Sequence, residues 1–492
     1  MTQQIRTKRW FSLFIFLHVS CWTLVTSLMR SNLPMDAIEG FIWGRHFAFG
    51  YDKNPYFNGW LFGLAGLIGG HSDWVIYFIS QLFVALCFWA IWRLANKLLA
   101  PISALVSVFL LELISSYNID AIDFDDNVIE LSLWALTILT FYSALKNKKV
   151  TSWLLVGLFS GLSFMTKYYA IVLLAPMLLM LVLDKSLWDH FKQPGIYLGG
   201  IVFLALTLVH ILWLFSHDFV TVTYAIGRVN TEITWWAHLI KPIRFTLPLL
   251  EACILPVLVF YGVFYIGREP LRLLVEPQRI TPFQRQFLLY MGIGPFITTI
   301  MLSFLFGFDL HSAWGQPLFS LLGILLVVFM KPKINAKRFY RFVVVLSIVF
   351  ILALSAYAIS MSRAGSTSSA HYPGRKIATN LTHEWHQRYH TPLAYVIGPR
   401  WEAGNVARYS KDHPTVYMEA DPVASFWINK KELQNKGALV VWDATKSRAQ
   451  QFKKSLKHLH HWRIETFYWD RDNSKKPIKI GVAFYPPHAV GL

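Results

Sequence analysis

Apolar runs of about 20 residues, separated by short polar loops, fill the first 360 positions of the chain. Runs of that length are long enough to cross a bilayer as helices. The pattern predicts about eleven spans, near 11–29, 74–95, 101–117, 128–145, 152–165, 169–183, 196–216, 246–266, 286–307, 315–330 and 342–360. The two within 152–183 are short and divided by the polar pair Thr166-Lys167. Hydropathy collapses near Ser360, a Ser/Gly-rich stretch follows (362–369), and the polar remainder has the size of one small domain. Its short apolar runs, 393–397, 415–418, 438–442, 464–468 and 478–484, read as strands. Helix-like stretches at 376–389, 401–410 and 446–459 lie between several of them. That alternation predicts an α/β layer with a largely parallel sheet. The domains expected are therefore 1–360, membrane-embedded, and 361–492, a polar α/β accessory domain.

Composition agrees. Hydrophobic residues make up 55% of the 492 positions and charged residues 15%, against about 25% charge in a soluble domain; the mean hydropathy is +0.42. An aromatic content of 16% excludes a disordered chain, and the three cysteines, Cys21, Cys87 and Cys253, all lie in apolar runs, which excludes a disulfide-stapled scaffold. The net charge of +18 means topology and anionic-lipid contact in a membrane protein, rather than a nucleic-acid partner.

Charge in alternate loops sets the orientation. The N-terminus and loops 92–100, 146–151, 184–195, 267–285 and 331–341 hold 19 Lys/Arg and four acids; the other set, 30–73, 116–127, 166–168, 217–245 and 306–314, holds seven Lys/Arg and eleven acids. The positive-inside rule puts the first set in the cytoplasm, so the N-terminus is expected inside and everything after Met361 outside. The first span follows Arg6-Thr7-Lys8-Arg9 without a small-residue cleavage site and reads as an uncleaved anchor. Glu112, Glu130 and Glu251 lie near outward span ends, where intramembrane acids mark either a wet polar cavity or headgroup-level snorkelling.

The first outward loop carries the densest candidate chemistry: Asp36, Glu39, Trp43, then Gly50-Tyr51-Asp52-Lys53-Asn54-Pro55 and Trp60. Asp36 and Glu39, three apart, share one face of a helix. Carboxylates so placed can hold a metal, raise each other's pKa, or orient a hydroxyl while one of them removes its proton. This loop resembles the first periplasmic loop of GT-C glycosyltransferases, in particular the protein-mannosyltransferase and lipid A aminoarabinose-transferase group, and within it bacterial members with an RgtA/B/C/D-like domain. Three other places agree with the resemblance: Asp123-Phe-Asp125-Asp126-Asn127 before Leu133-Trp134-Ala135-Leu136; Gly161-Leu-Ser-Phe-Met-Thr166-Lys167; and, in the tail, His371-Tyr-Pro373-Gly374-Arg375 through Trp401-x-x-Gly404-Asn405 to Tyr409-Ser410. The chain departs from the group at Tyr56, where a second Pro is frequent, and at Asp52, where aminoarabinose transferases have Glu; a metal-ligand set is therefore not carried over.

The resemblance implies transfer of a sugar from a polyprenyl (undecaprenyl) phosphate carrier to an acceptor outside the bacterial inner membrane: lipid A or core glycan, another envelope glycan, or protein. An anionic head on an apolar tail calls for outward cations. Lys53, Lys167 and Arg228 are the candidates for stabilising charge on the departing phosphate. Asp36 is the candidate base and Glu39 its orienting partner; for a phosphate acceptor no base is required and Asp36 would position it. Asp52, Tyr51, Asp125, Asp126, Asn127, His217 and Trp235 are the candidate substrate contacts. The alternatives are bland: an interfacial Lys167, a helix-capping Asp126-Asn127, a Trp235-Trp236 pair in the interfacial belt. No cofactor is implied, and Asp123-x-Asp125 leaves a divalent metal open. The expected partners are the lipid-linked donor, a lipid or glycan acceptor and membrane lipids. A lipid-linked sugar flippase is the rival reading. It would need access from both faces, whereas the acids concentrate on one, and no matching pair of broken helices divides the chain into halves.

Overall fold

The computed structural model describes residues 3–70, 72–229, 234–266, 273–275, 280–363, 368–445, 462–471 and 476–488. In lipid the backbone must satisfy its own hydrogen bonds, so the apolar runs form helices. Among the described residues seven helices are long and apolar enough to cross a membrane, or up to ten if each bent pair is one span. Three of the expected spans, near 101–117, 169–183 and 315–330, are the bent ones, and 152–165 is the short helix Val150–Phe164. The bends of 96° (Pro101–Leu113 with Ser115–Ile122) and 97° (Tyr168–Leu183 with Lys185–Lys192) fall where polar loop residues interrupt the apolar run.

Contacts divide the chain into two compact units, Met1–Thr23, Phe78–Trp213 and Val222–Tyr357 against Leu24–Tyr77, Leu214–Thr221 and Ala358–Leu492. In the first, the helix Asp126–Asn147 is buried almost along its whole length. Asp125, in extended conformation, caps it by accepting from Val128 N–H at 3.0 Å; the expected cap at Asp126-Asn127 thus moves one residue back, because an N-cap must lie just outside the helical turn it closes. Val150–Phe164 and Pro194–Phe215 meet at Gly157 and Gly199, where a Cβ on Gly157 would lie 2.0 Å from the Gly199 carbonyl oxygen; only glycine permits this approach. A short pair, β1 (Leu273–Val275) and β2 (Ile334–Asn335), also belongs here.

In the second unit, α2 (Met35–Gly44) and α3 (Tyr56–Gly69) flank the loop singled out above. The C-terminal sheet comprises β3 (Tyr395–Gly398), β4 (Thr415–Met418), β5 (Ala438–Asp443), β6 (Trp462–Phe467) and β7 (Ile478–Tyr485), in the order β4-β3-β5-β7-β6. All five strands were expected, but the sheet is mixed rather than largely parallel. β3 pairs parallel with β4 and β5, while β7 runs antiparallel to both β5 and β6. Parallel neighbours need a crossover, which the helix Arg400–Tyr409 supplies between β3 and β4; β6 and β7 are joined too closely for one and form a hairpin. The expected helices at 376–389 and 401–410 are Gly374–Tyr389 and Arg400–Tyr409, that at 446–459 lies outside the described residues, and Lys430–Lys436 is a helix the pattern did not indicate. Val396, Val416, Leu439, Val482 and Trp385 build the core, and Ile42 of α2 belongs to it.

Candidate functional site

Gly50 bridges Pro55, and Tyr51 N–H donates to the Asn54 carbonyl at 3.0 Å, closing the loop on itself. Tyr51, fully buried, stacks on Trp43 with ring centroids 5.5 Å apart, and its carbonyl accepts from Thr221 Oγ1. A Cβ on Gly59 would meet the Tyr51 ring at 2.3 Å. Expected to touch substrate, Tyr51 is instead enclosed by the loop's own packing, and burial raises its phenol well above the ordinary range.

With Tyr51 held inward, the next two side chains meet the acid of α2. Asp52, buried, accepts from Trp43 Nε1 at 3.1 Å. Lys53 Nζ lies 2.8 Å from Glu39 Oε1 and 3.0 Å from Oε2. Glu39 is buried while Asp36, in the first turn of α2, is exposed, so the pair expected to act from one face is divided by burial. Packing encloses α2 from Ala37 to Gly40, and Asp36, beside the exposed Met35 at the start of the helix, lies outside it.

The residue not anticipated is Arg400. Its guanidinium donates to Glu39 Oε1 through one terminal nitrogen and to Asp52 Oδ2 through the other, with Oδ1 at 3.5 Å from the first. Burial alone would lower it, but Glu39 and Asp52 outweigh that and hold it above its ordinary value. Two carboxylates and two cations thus form one compensated cluster. Lys53, with a quarter of its side chain exposed, is the most accessible of the four. A signal was present in the sequence. Arg400, Gly404 and Arg408 recur every four residues on one face of their helix, and a Cβ on Gly404 would sit 2.5 Å from Ile38 Cγ2 and 3.0 Å from Ile42 Cδ1 of α2. Arg408 lies 4.0 Å over the Phe41 ring and donates to the Gly70 carbonyl at 2.8 Å. Nearby, His46 stacks on Trp427 at 4.4 Å; burial, reinforced by Arg45, lowers its pKa to about 4. His217 meets Phe426 edge-on at 4.7 Å and Ser216 Oγ at 2.9 Å from Nδ1.

The membrane unit groups four other candidates. Lys167 Nζ donates to Asn127 Oδ1 at 2.6 Å, lies 3.3 Å from Asp126 Oδ2 and sits 5.0 Å over the Trp314 ring. Asn127 Nδ2 donates to Asp125 Oδ2 at 2.6 Å. One turn further along the helix, buried Glu130 accepts from Trp134 Nε1 and from Ser163 Oγ, the latter at 2.8 Å. Arg228, in the last turn of Val220–Val229, is exposed; Trp235 is exposed and stacked on Trp236 at 3.5 Å. Among the described residues no group of three or more His, Cys, Asp or Glu side chains is placed to hold a metal ion.

Residues 53–213 match the family model described as dolichyl-phosphate-mannose-protein mannosyltransferase. That stretch contains Lys53, Asp125, Asp126, Asn127 and Lys167 and leaves Asp36, Glu39 and Arg400 outside. The lipopolysaccharide core galacturonosyltransferase RgtA of Rhizobium johnstonii is 23% identical over 438 residues, 82% of this chain and 83% of its own. Among solved structures, ArnT from Cupriavidus metallidurans bound to undecaprenyl phosphate superposes over 96% of this chain and 98% of its own, with a TM-score of 0.52 and 14% identity. The archaeal oligosaccharyltransferase AglB from Archaeoglobus fulgidus gives a TM-score of 0.40 at 14% identity, over 88% of this chain and 70% of its own. The superposition on ArnT gives the chain the multi-pass helical fold of the GT-C type, and its residues 53–213 are similar to the protein-mannosyltransferase family.

Proposed function

We propose that the chain transfers a sugar from a polyprenyl phosphate carrier to a lipid or glycan acceptor of the cell envelope, at the outer face of a bacterial inner membrane, with its N-terminus inside and residues 361–492 outside as an accessory domain. The observation that carries this is the ammonium of Lys53, a quarter exposed and backed by the buried, compensated Glu39 on the helix that also presents the exposed Asp36. A lipid-linked sugar phosphate offers one anionic group at the membrane surface, and a lysine is suited to meet it as a point charge. The match over residues 53–213 and the likeness to RgtA support the same class of donor and an envelope acceptor.

In the proposed reaction the acceptor hydroxyl attacks the anomeric carbon, the new C–O bond forms and the bond from that carbon to the phosphate oxygen breaks. Asp36 takes the hydroxyl proton and Glu39 orders that edge of α2 through its contact with Lys53. The departing polyprenyl phosphate gains one negative charge, which Lys53 offsets. Lys167 and Arg228 of the membrane unit remain further candidate contacts to the carrier phosphate. Asp52, Asp125, Asp126, Asn127, His217 and Trp235 remain candidate contacts to the rest of the substrate, with Tyr51 acting through the loop it anchors.

The test is transfer in liposomes containing the purified protein, a panel of polyprenyl-phosphate sugars and envelope lipid acceptors, with free polyprenyl phosphate followed by mass spectrometry. Release by the wild type and a loss of about 100-fold or more in Asp36→Asn is expected. Donor bound but never released, across the panel, would favour a carrier of lipid-linked sugars instead. Full turnover in Asp36→Asn would remove that residue from the mechanism.

A further inference from the structure

Four charged groups meet in the loop cluster, and they differ in how firmly they are held. Arg400 forks onto two different carboxylates, Glu39 and Asp52, and 16% of its side chain is exposed. Lys53 pairs with Glu39 and is 25% exposed. The two carboxylates are almost fully buried, so neither can be left without a cation at small cost. If Lys53 is to turn towards a phosphate, Glu39 must keep another positive partner, and Arg400 is already in place.

We propose that Arg400 is a positioning residue for the reaction: by compensating Glu39 and Asp52 it releases the Lys53 ammonium to bind the carrier phosphate. This rests on the reading of the loop as a donor-phosphate site. Arginine suits the task because its planar fork spans two acceptors at once and is never deprotonated, whereas a lysine would satisfy one at a time. The register of the helix Arg400–Tyr409 fits the role. Gly404, one turn beyond Arg400, lets that helix approach Ile38 and Ile42, so the guanidinium arrives over Glu39 from the C-terminal segment. Without Arg400 the two buried carboxylates would compete with the phosphate for Lys53. The polar C-terminal segment thereby contributes a charge to the first loop, as well as a fold beside it.

The experiment measures undecaprenyl phosphate binding to the full chain in phospholipid nanodiscs at pH 7.5. Wild type, Arg400→Gln and the double variant Arg400→Gln/Glu39→Gln are compared, with melting temperatures recorded in parallel. Arg400→Gln is expected to bind about tenfold more weakly, since one buried charge is left uncompensated. Neutralising Glu39 in the double variant should return binding to within about threefold of wild type, a rescue that a purely structural role for Arg400 would not produce. Unchanged binding in Arg400→Gln, or a double variant as weak as the single, overturns the proposal while leaving the glycosyltransferase reading intact. Absence of binding by the wild type removes that reading and this proposal with it. Should Arg400→Gln fail to fold, Arg400→Lys and Arg400→Lys/Glu39→Gln replace it. A loss of about threefold in the first, restored in the second, is then expected, because the charge remains and only the fork is lost. Binding equal to wild type in Arg400→Lys overturns the proposal.

Discussion

Lys53 and Lys167 illustrate how the same side chain is held by different means. Lys53 pairs with the buried carboxylate of Glu39, while Lys167 is shared between Asn127, Asp126 and the face of Trp314. A cation over an indole keeps its charge and remains available to an anion, so Lys167→Gln is expected to weaken undecaprenyl phosphate binding by about tenfold without lowering the melting temperature; equal affinity would assign Lys167 a structural role. His46 makes a different prediction. Its folded pKa, about 4, lies below the unfolded value near 6.5. The unfolded chain therefore binds the extra proton first, and the stability His46 contributes is present above pH 6.5 and lost as pH falls towards 4. Thermal melting from pH 7.5 to 4.5 should show a decline on the order of 2 kcal/mol that His46→Gln flattens; a decline unchanged in that variant would place its cause elsewhere. The residue chemistry was partly legible in the chain. Asp36, Glu39, Asp52 and Lys53 stood out by spacing, but the burial that separates Asp36 from Glu39 and encloses Tyr51 depends on neighbours such as Trp43 and Thr221, which spacing does not reveal.

Elements explain why those residues meet. The helix Arg400–Tyr409 is both the crossover between two parallel strands and the carrier of Arg400, so the sheet's topology and the loop's electrostatics depend on one segment. Its seat against α2 is set by Gly404. Gly404→Ala would bring a methyl group to 2.5 Å from Ile38 Cγ2, forcing α2 or the helix to shift. Destabilisation of about 1–3 kcal/mol is expected, together with weaker carrier binding, measured by melting and by the nanodisc assay. Ile38→Ala in the same chain removes the clashing atom and should recover part of both; no recovery would mean that the clash lies with Ile42 or the backbone. The helices and strands were readable from apolar period and run length, since these follow from local hydrogen bonding and burial. The sheet's mixed order was not, because whether β7 adds parallel or antiparallel to β5 depends on the hairpin with β6 and on which edge was free.

For the molecule as a whole, the orientation rests on loop charge and is open to direct test. Asn435 is exposed on the helix Lys430–Lys436, and Lys149 is exposed in a basic loop of the membrane unit. In right-side-out vesicles, Asn435→Cys should react with an impermeant maleimide, and Lys149→Cys only after permeabilisation. The reverse pattern would invert the topology and move the proposed site to the cytoplasm. Cys87 and Cys253 are buried, leaving Cys21, half-buried in α1 (Gln3–Met29), as the native thiol to remove first. The sequence alone determined that this chain lives in a membrane, roughly where it crosses, which C-terminal runs form strands and which loop is dense in acids and lysine. Those properties are written in the free energy of moving each stretch between water and lipid, a sum over neighbours along the chain. Only the tertiary structure decided that Glu39 and Asp52 are compensated by Arg400, more than 340 residues away in the chain. Such a pairing depends on which surfaces close together when the helix Arg400–Tyr409 packs on α2, and no local sum contains that term.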